Sequence, residues 1–60
     1  MIEPILGYLD SLGYKYSHSK GQKYLTLHRK NLNIDVIKKL VSFDIRALYA
    51  ENDEFIIEIY

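Results

Sequence analysis

Shifted against itself by 31 residues, the chain matches its own apolar pattern. Ile5 falls on Val36, Leu6 on Ile37, Leu9 on Leu40 and Leu12 on Phe43. Further along, Lys15 falls on Arg46, Tyr24 on Phe55 and Leu25 on Ile56. Each half reads as apolar residues at helical spacing followed by two runs at strand spacing. The unit is therefore helix–strand–strand, used once in residues 1–30 and again in 31–60. An isolated hairpin is marginal at best, and a repeat buries its apolar face against its neighbour. The two units should merge into one α+β domain, αββαββ, with a four-stranded antiparallel sheet and both helices on one face.

The helices have recognisable ends. In "EPILGYLDSLG", Pro4 suits a first turn, where its missing N–H is no loss, and Gly13 supplies a stop. Ile5, Leu9 and Leu12, with Tyr8 beside them, give the inward stripe. Gly7 in the middle costs up to about 1 kcal/mol relative to Ala, which close packing of another backbone against it would explain. In "NLNIDVIKKLVSF", Asn33 is a good N-cap, and Leu32 and Ile37 occupy the hydrophobic-staple positions. Ile34, Ile37, Leu40 and Val41 form the expected stripe, and Lys38 and Lys39 favour the negative end of the helix dipole.

The hairpins follow from their turns. Lys20-Gly21 as a two-residue turn sets Ser19 opposite Gln22, Tyr16 opposite Leu25 and Tyr14 opposite Leu27. Tyr14, Tyr16, Leu25 and Leu27 then face the core, with Lys15, Ser17, Tyr24, Thr26 and His28 on the other side. In the second hairpin, a three-residue loop Glu51-Asn52-Asp53 is preferred to a two-residue loop, which would slip the register and pair Arg46 with Ile57. The three-residue loop sets Tyr49 opposite Phe55 and Arg46 opposite Glu58, a good cross-strand pair. That register sends Ile45, Ala47, Tyr49, Phe55, Ile57 and Ile59 inward and leaves Leu48 and Ile56 on the open face.

Sixty residues without cysteine must be stabilised by packing or self-association, since no disulfide or thiolate metal site is available. The composition, 48% hydrophobic and 13% aromatic, is that of a folding chain. It suits a reducing cytosol, and no apolar run reaches the roughly 18 residues of a membrane span. The opening "MIEPILGYLD" has two acids and no base, unlike a secretion signal.

The formal charge is zero but divided. Residues 1–30 carry five bases and two acids, net +3, and residues 31–60 carry three bases and six acids, net −3. The stretch "YKYSHSKGQKYLTLHRK" contains no acid at all. Such asymmetry can orient a partner or a second copy of the chain.

Within the first helix, Gly7, Asp10 and Gly13 of "ILGYLDSLG" are identical to the LAGLIDADG motif of homing endonucleases, and Ile5, Leu9 and Ser11 match it conservatively. The stretch resembles a degenerate form of that helix, whose family also opens with helix–strand–strand–helix–strand–strand. The resemblance implies a helix-packing role for Gly7. It implies no nuclease activity, because Leu12 stands where the family has its metal-binding acid.

No constellation for catalysis is evident. His18 and His28 fall on opposite faces of the expected hairpin, so they share no metal site. No acid orients His18 beside Ser17 or Ser19 as a triad requires, and "SHSKGQK" lacks the P-loop pattern. No cofactor, no metal site and no enzymatic activity are expected. Two binding readings remain. In the first, a protein partner or a second copy covers the open sheet face through Tyr24, Leu48, Ile56 and Tyr60. In the second, Lys15, Lys20, Lys23, His28, Arg29 and Lys30 meet the phosphates of single-stranded nucleic acid while Tyr24 stacks on a base. The same six bases could instead meet an acidic protein. The protein-binding reading is preferred, because net charge zero disfavours nucleic acid. Compact, cysteine-free chains rich in Lys, Asn, Ile and Tyr suit inhibitors or accessory factors of phage or mobile elements.

Overall fold

The computed structural model describes residues 2–60. Its elements are α1 (Glu3–Ser11), β1 (Tyr16–Ser17), β2 (Tyr24–His28), a 3₁₀ turn (Arg29–Asn31), α2 (Ile34–Val41), β3 (Ala47–Glu51) and β4 (Glu54–Glu58). The strands form one antiparallel sheet in the order β1-β2-β4-β3. This is the expected αββαββ arrangement, with the second strand of each unit meeting its counterpart at the centre.

Local chemistry accounts for the helix ends. Asn33 is the N-cap of α2, its Oδ1 accepting the Val36 N–H at 3.0 Å. α1 ends in a Schellman motif: the Tyr14 N–H donates to the Leu9 carbonyl at 3.1 Å and the Gly13 N–H to Asp10 at 3.0 Å. Gly13 takes the left-handed conformation this requires, φ 72°.

The core lies between the sheet and the two helices. Ile5 and Leu9 of α1, Val36 and Leu40 of α2, Leu25 and Leu27 of β2, and Ile57 and Ile59 at β4 are all buried. Leu25 pairs with Ile57, and cross-strand partners share a face, so both helices cover the same side of the sheet. At one end of the helix pair, Tyr8 and Phe43 meet with ring centroids 5.9 Å apart. Lys39 Nζ lies 5.3 Å from the Phe43 ring and 5.9 Å from Tyr8, within cation–π range.

Sequence expectations are corrected at several points. α1 buries Ile5 and Leu9, but Leu12, expected in the same inward stripe, is 41% exposed. α2 buries Val36 and Leu40, while Ile34 and Val41 are 63% and 58% exposed. At 100° per residue, Ile34 lies far around the helix from the Val36–Leu40 line. A Cβ added at Gly7 would meet nothing within 4 Å, so no backbone packs against that residue.

The first hairpin pairs Tyr16 with Leu27 and Ser17 with Thr26, two residues off the expected register. Lys20-Gly21 does form the turn, closed by Gln22 N–H to the Ser19 carbonyl at 3.0 Å. Gly21 alone has positive φ, 86°, as in a type II turn. That turn has the wrong twist for a tight hairpin and splays the strands, so pairing begins further out. The two-residue shift preserves the faces.

The second hairpin has a two-residue loop, Asn52-Asp53, with Glu51 opposite Glu54. Asn52 accepts the left-handed conformation, φ 57°. Ala47 faces Glu58, Leu48 faces Ile57 and Tyr49 faces Ile56. The one-residue slip turns β3 over: Leu48 packs against the core, and Ala47 and Tyr49 point away from it.

Candidate functional site: the open sheet face and its basic rim

The face away from the helices is ordered by cross-strand rows. Ser17, Thr26, Ile56 and Tyr49 form one row, Tyr24, Glu58 and Ala47 a second, and His28, Glu54 and Glu51 a third. Thr26 and Ile56 are half-buried, Tyr24 is 41% exposed and Tyr49 40%. The buried residues of both helices belong to the opposite side, so no helix covers this surface. The Tyr49 hydroxyl donates to Glu58 Oε2 at 2.6 Å. That hydrogen bond, helped by desolvation and by the carboxylate charge, raises the Tyr49 pKa above the ordinary value of 10.0.

Of the four interface candidates, Tyr24 and Ile56 lie on this face. Tyr60 lies past the end of β4 and is 70% exposed. Leu48 is not on the face, because the true register turns it to the core. Tyr49 takes its place. The sequence carries one signal for this: "ND" at 52–53 is itself a plausible two-residue hairpin loop, and a two-residue loop sends Tyr49 outward where the three-residue loop sends it in.

The six basic candidates divide. Lys15, His28 and Lys30, with Gly13 and Asn31, line one open depression of about 420 Å³. The Lys30 backbone N–H donates to His28 Nδ1 at 3.2 Å, capping the 3₁₀ turn. In neutral His28 the ring proton is therefore on Nε2. Lys20 and Lys23 belong to the loop at the other end of the hairpin. Arg29 is tied through its backbone, its N–H donating to the Asp53 carbonyl at 2.8 Å, and its side chain does not line the depression.

The histidines are not placed as expected. His18 lies in the loop, where Nδ1–H donates to the Tyr24 carbonyl at 3.0 Å. It lines a depression of about 310 Å³ with Ser17, Tyr24, Thr26 and Glu54, which belong to the outer face that also carries His28. The two histidines nonetheless line separate depressions. Among the described residues no three His, Cys, Asp or Glu side chains are grouped to hold a metal ion. No described helix is long and apolar enough to cross a membrane. Compared with protein-family models, curated proteins and solved structures, the chain matches none of them.

Proposed function

We propose that the chain is a small non-enzymatic module that binds another protein across the open face of its sheet. One observation carries this reading: Ile56 lies between Tyr49 and Thr26, with Tyr24 in the adjacent row, on a face that no helix covers. An aliphatic centre flanked by tyrosines is the composition that dominates protein interfaces. The basic depression at one corner and Glu51, Glu54 and Glu58 across the face give the surface a charge pattern that fixes orientation. The compact, cysteine-free composition fits an inhibitor or accessory factor, of the kind encoded by phage or mobile elements. The test compares proteins retained from nuclease-treated lysate by immobilised wild type, Ile56→Asp and Val41→Asp. A protein retained by wild type and Val41→Asp but lost by Ile56→Asp supports the reading. Identical retention by all three overturns it.

Binding of single-stranded nucleic acid is the second reading, favoured by the convergence of Lys15, His28 and Lys30 on the face that also exposes Tyr24. Glu58 opposite Tyr24 and Glu54 opposite His28 work against it. Micromolar or tighter binding of an unstructured oligonucleotide at 150 mM salt, with the steep salt dependence of phosphate contacts, would replace the first reading with this one.

A further inference from the structure

Three depressions open on or beside the outer face, and they differ in chemistry. Two are lined in part by Glu54. The third is lined by Gly13, Lys15, His28, Lys30 and Asn31, with no acid in its own lining; Lys15 and His28 also border the second, where Glu54 stands opposite His28. Every side chain in that lining can donate a hydrogen bond: two ammonium groups, an imidazole N–H and a carboxamide. Two separate segments supply them, the approach to β1 and the end of β2 with its 3₁₀ turn. Gly13 contributes no side chain, and a Cβ there would meet nothing within 4 Å, so its edge of the depression is open. His28 is held in place by the Lys30 N–H on Nδ1, which leaves Nε2–H free to donate.

From this lining we infer that the notch receives a phosphate monoester carried on a side chain of the protein partner. The inference rests on the protein-binding reading above. Charge-assisted hydrogen bonds converging from several donors suit a dianionic oxygen cluster. The notch is isolated. Lys23 stands five residues before His28, roughly 17 Å at strand spacing, with Glu58 opposite Tyr24 in between and Glu54 opposite His28 itself. A nucleic-acid strand needs a continuous basic track, whereas one monoester needs only one notch.

The experiment follows backbone amide shifts of the whole chain while inorganic phosphate, O-phosphoserine or a thymidine oligonucleotide without terminal phosphate is added. Phosphate and phosphoserine should shift Lys15, His28, Lys30 and Asn31 saturably. Affinity should drop by about tenfold or more in Lys15→Gln/Lys30→Gln. Lys20→Gln/Lys23→Gln should bind as wild type does. Free phosphoserine separates this site from the sheet-face reading, because its binding requires no partner on that face. Equal weakening in the two lysine pairs would mean diffuse attraction and overturn the site. No saturable shift would overturn it as well. An oligonucleotide that displaces phosphoserine at 150 mM salt would overturn the assignment to a protein partner.

Discussion

Gly13 and Asp44, 31 residues apart, both hold left-handed backbone, with φ of 72° and 61°. Gly21 and Asn52, at the same separation, do so again, with φ of 86° and 57°. Ser11 Oγ donates to the Tyr8 carbonyl at 2.6 Å, and Ser42 Oγ repeats the bond to Lys39 at 2.5 Å. The internal repeat is thus one of backbone conformation, fixing where each helix stops and where each hairpin turns. Only Gly takes these angles without a steric cost, so Asp44 and Asn52 hold strained versions of the same device.

This asymmetry is testable. Gly13→Ala should lose about 1–2 kcal/mol, the cost of a Cβ in left-handed backbone. Asp44→Gly, which relieves the same strain, should lose nothing and gain a few tenths up to about 1 kcal/mol. Urea unfolding of the two variants beside wild type measures both. If Gly13→Ala were as stable as wild type, the left-handed stop would not be required.

The repeat also shows why the fold was legible in the sequence and half of the candidate site was not. The helix positions, the Asn33 cap and the Gly13 stop are local, and the residues themselves announce them. The sheet face of β3 is not local. Both hairpins keep the same register under the shift, Tyr16 with Leu27 and Ala47 with Glu58. The central pairing, however, sets Leu25 opposite Ile57, 32 residues on. A residue 31 positions on therefore points to the other face, and Ile56, the counterpart of buried Leu25, is on the outside. The chain bends at Arg46, so Ile45 and Leu48 both reach the core although strict alternation would separate them. Alternation read from sequence cannot detect such a phase change. Strict alternation from Ile45 puts Tyr49 inward, whereas the bend and the two-residue Asn52-Asp53 loop together send Tyr49 out and Leu48 in.

Gly7 is the simplest case for stabilisation. It sits inside α1 with open space where a Cβ would go. Gly7→Ala should therefore raise stability by up to about 1 kcal/mol through helix propensity and a less free unfolded chain. A rise in Tm is expected. A fall would mean that something approaches this helix face in solution, as in the helix-packing role the LAGLIDADG-like pattern implied.

The Tyr49–Glu58 hydrogen bond has a definite pH signature. The Tyr49 pKa is raised in the folded state, first by that bond. A raised pKa means the stabilisation is fully present below the unfolded-state value, about 10, and is lost as pH rises through the higher folded value. Tyrosinate absorbance should show two tyrosines titrating late, Tyr49 and also Tyr16, which desolvation and the neighbouring Asp10 raise. Glu58→Gln should bring one of the two titrations down, and Tyr49→Phe should remove one and leave the other. Two late titrations remaining in Tyr49→Phe would mean that Tyr49 is not one of them.

Leu48 and Ile56 separate folding from association. Leu48 packs against the core but is half-buried, so Leu48→Ala should cost about 1–2 kcal/mol, less than the 2–5 of a fully enclosed leucine. Ile56 lies on the open face, where a charge is tolerated by the monomer but not by an apolar interface. A small cysteine-free core gains stability when a second copy covers that face, by mass action. Light scattering over a concentration series should show a dimer or larger species for wild type and Leu48→Ala, and a monomer for Ile56→Asp. Wild type that stays monomeric at high micromolar concentration removes self-association and leaves the face to a different protein. If Val41→Asp rather than Ile56→Asp abolishes the dimer, the copies meet through the exposed Ile34–Val41 ridge of α2, and the sheet face remains open while they do so.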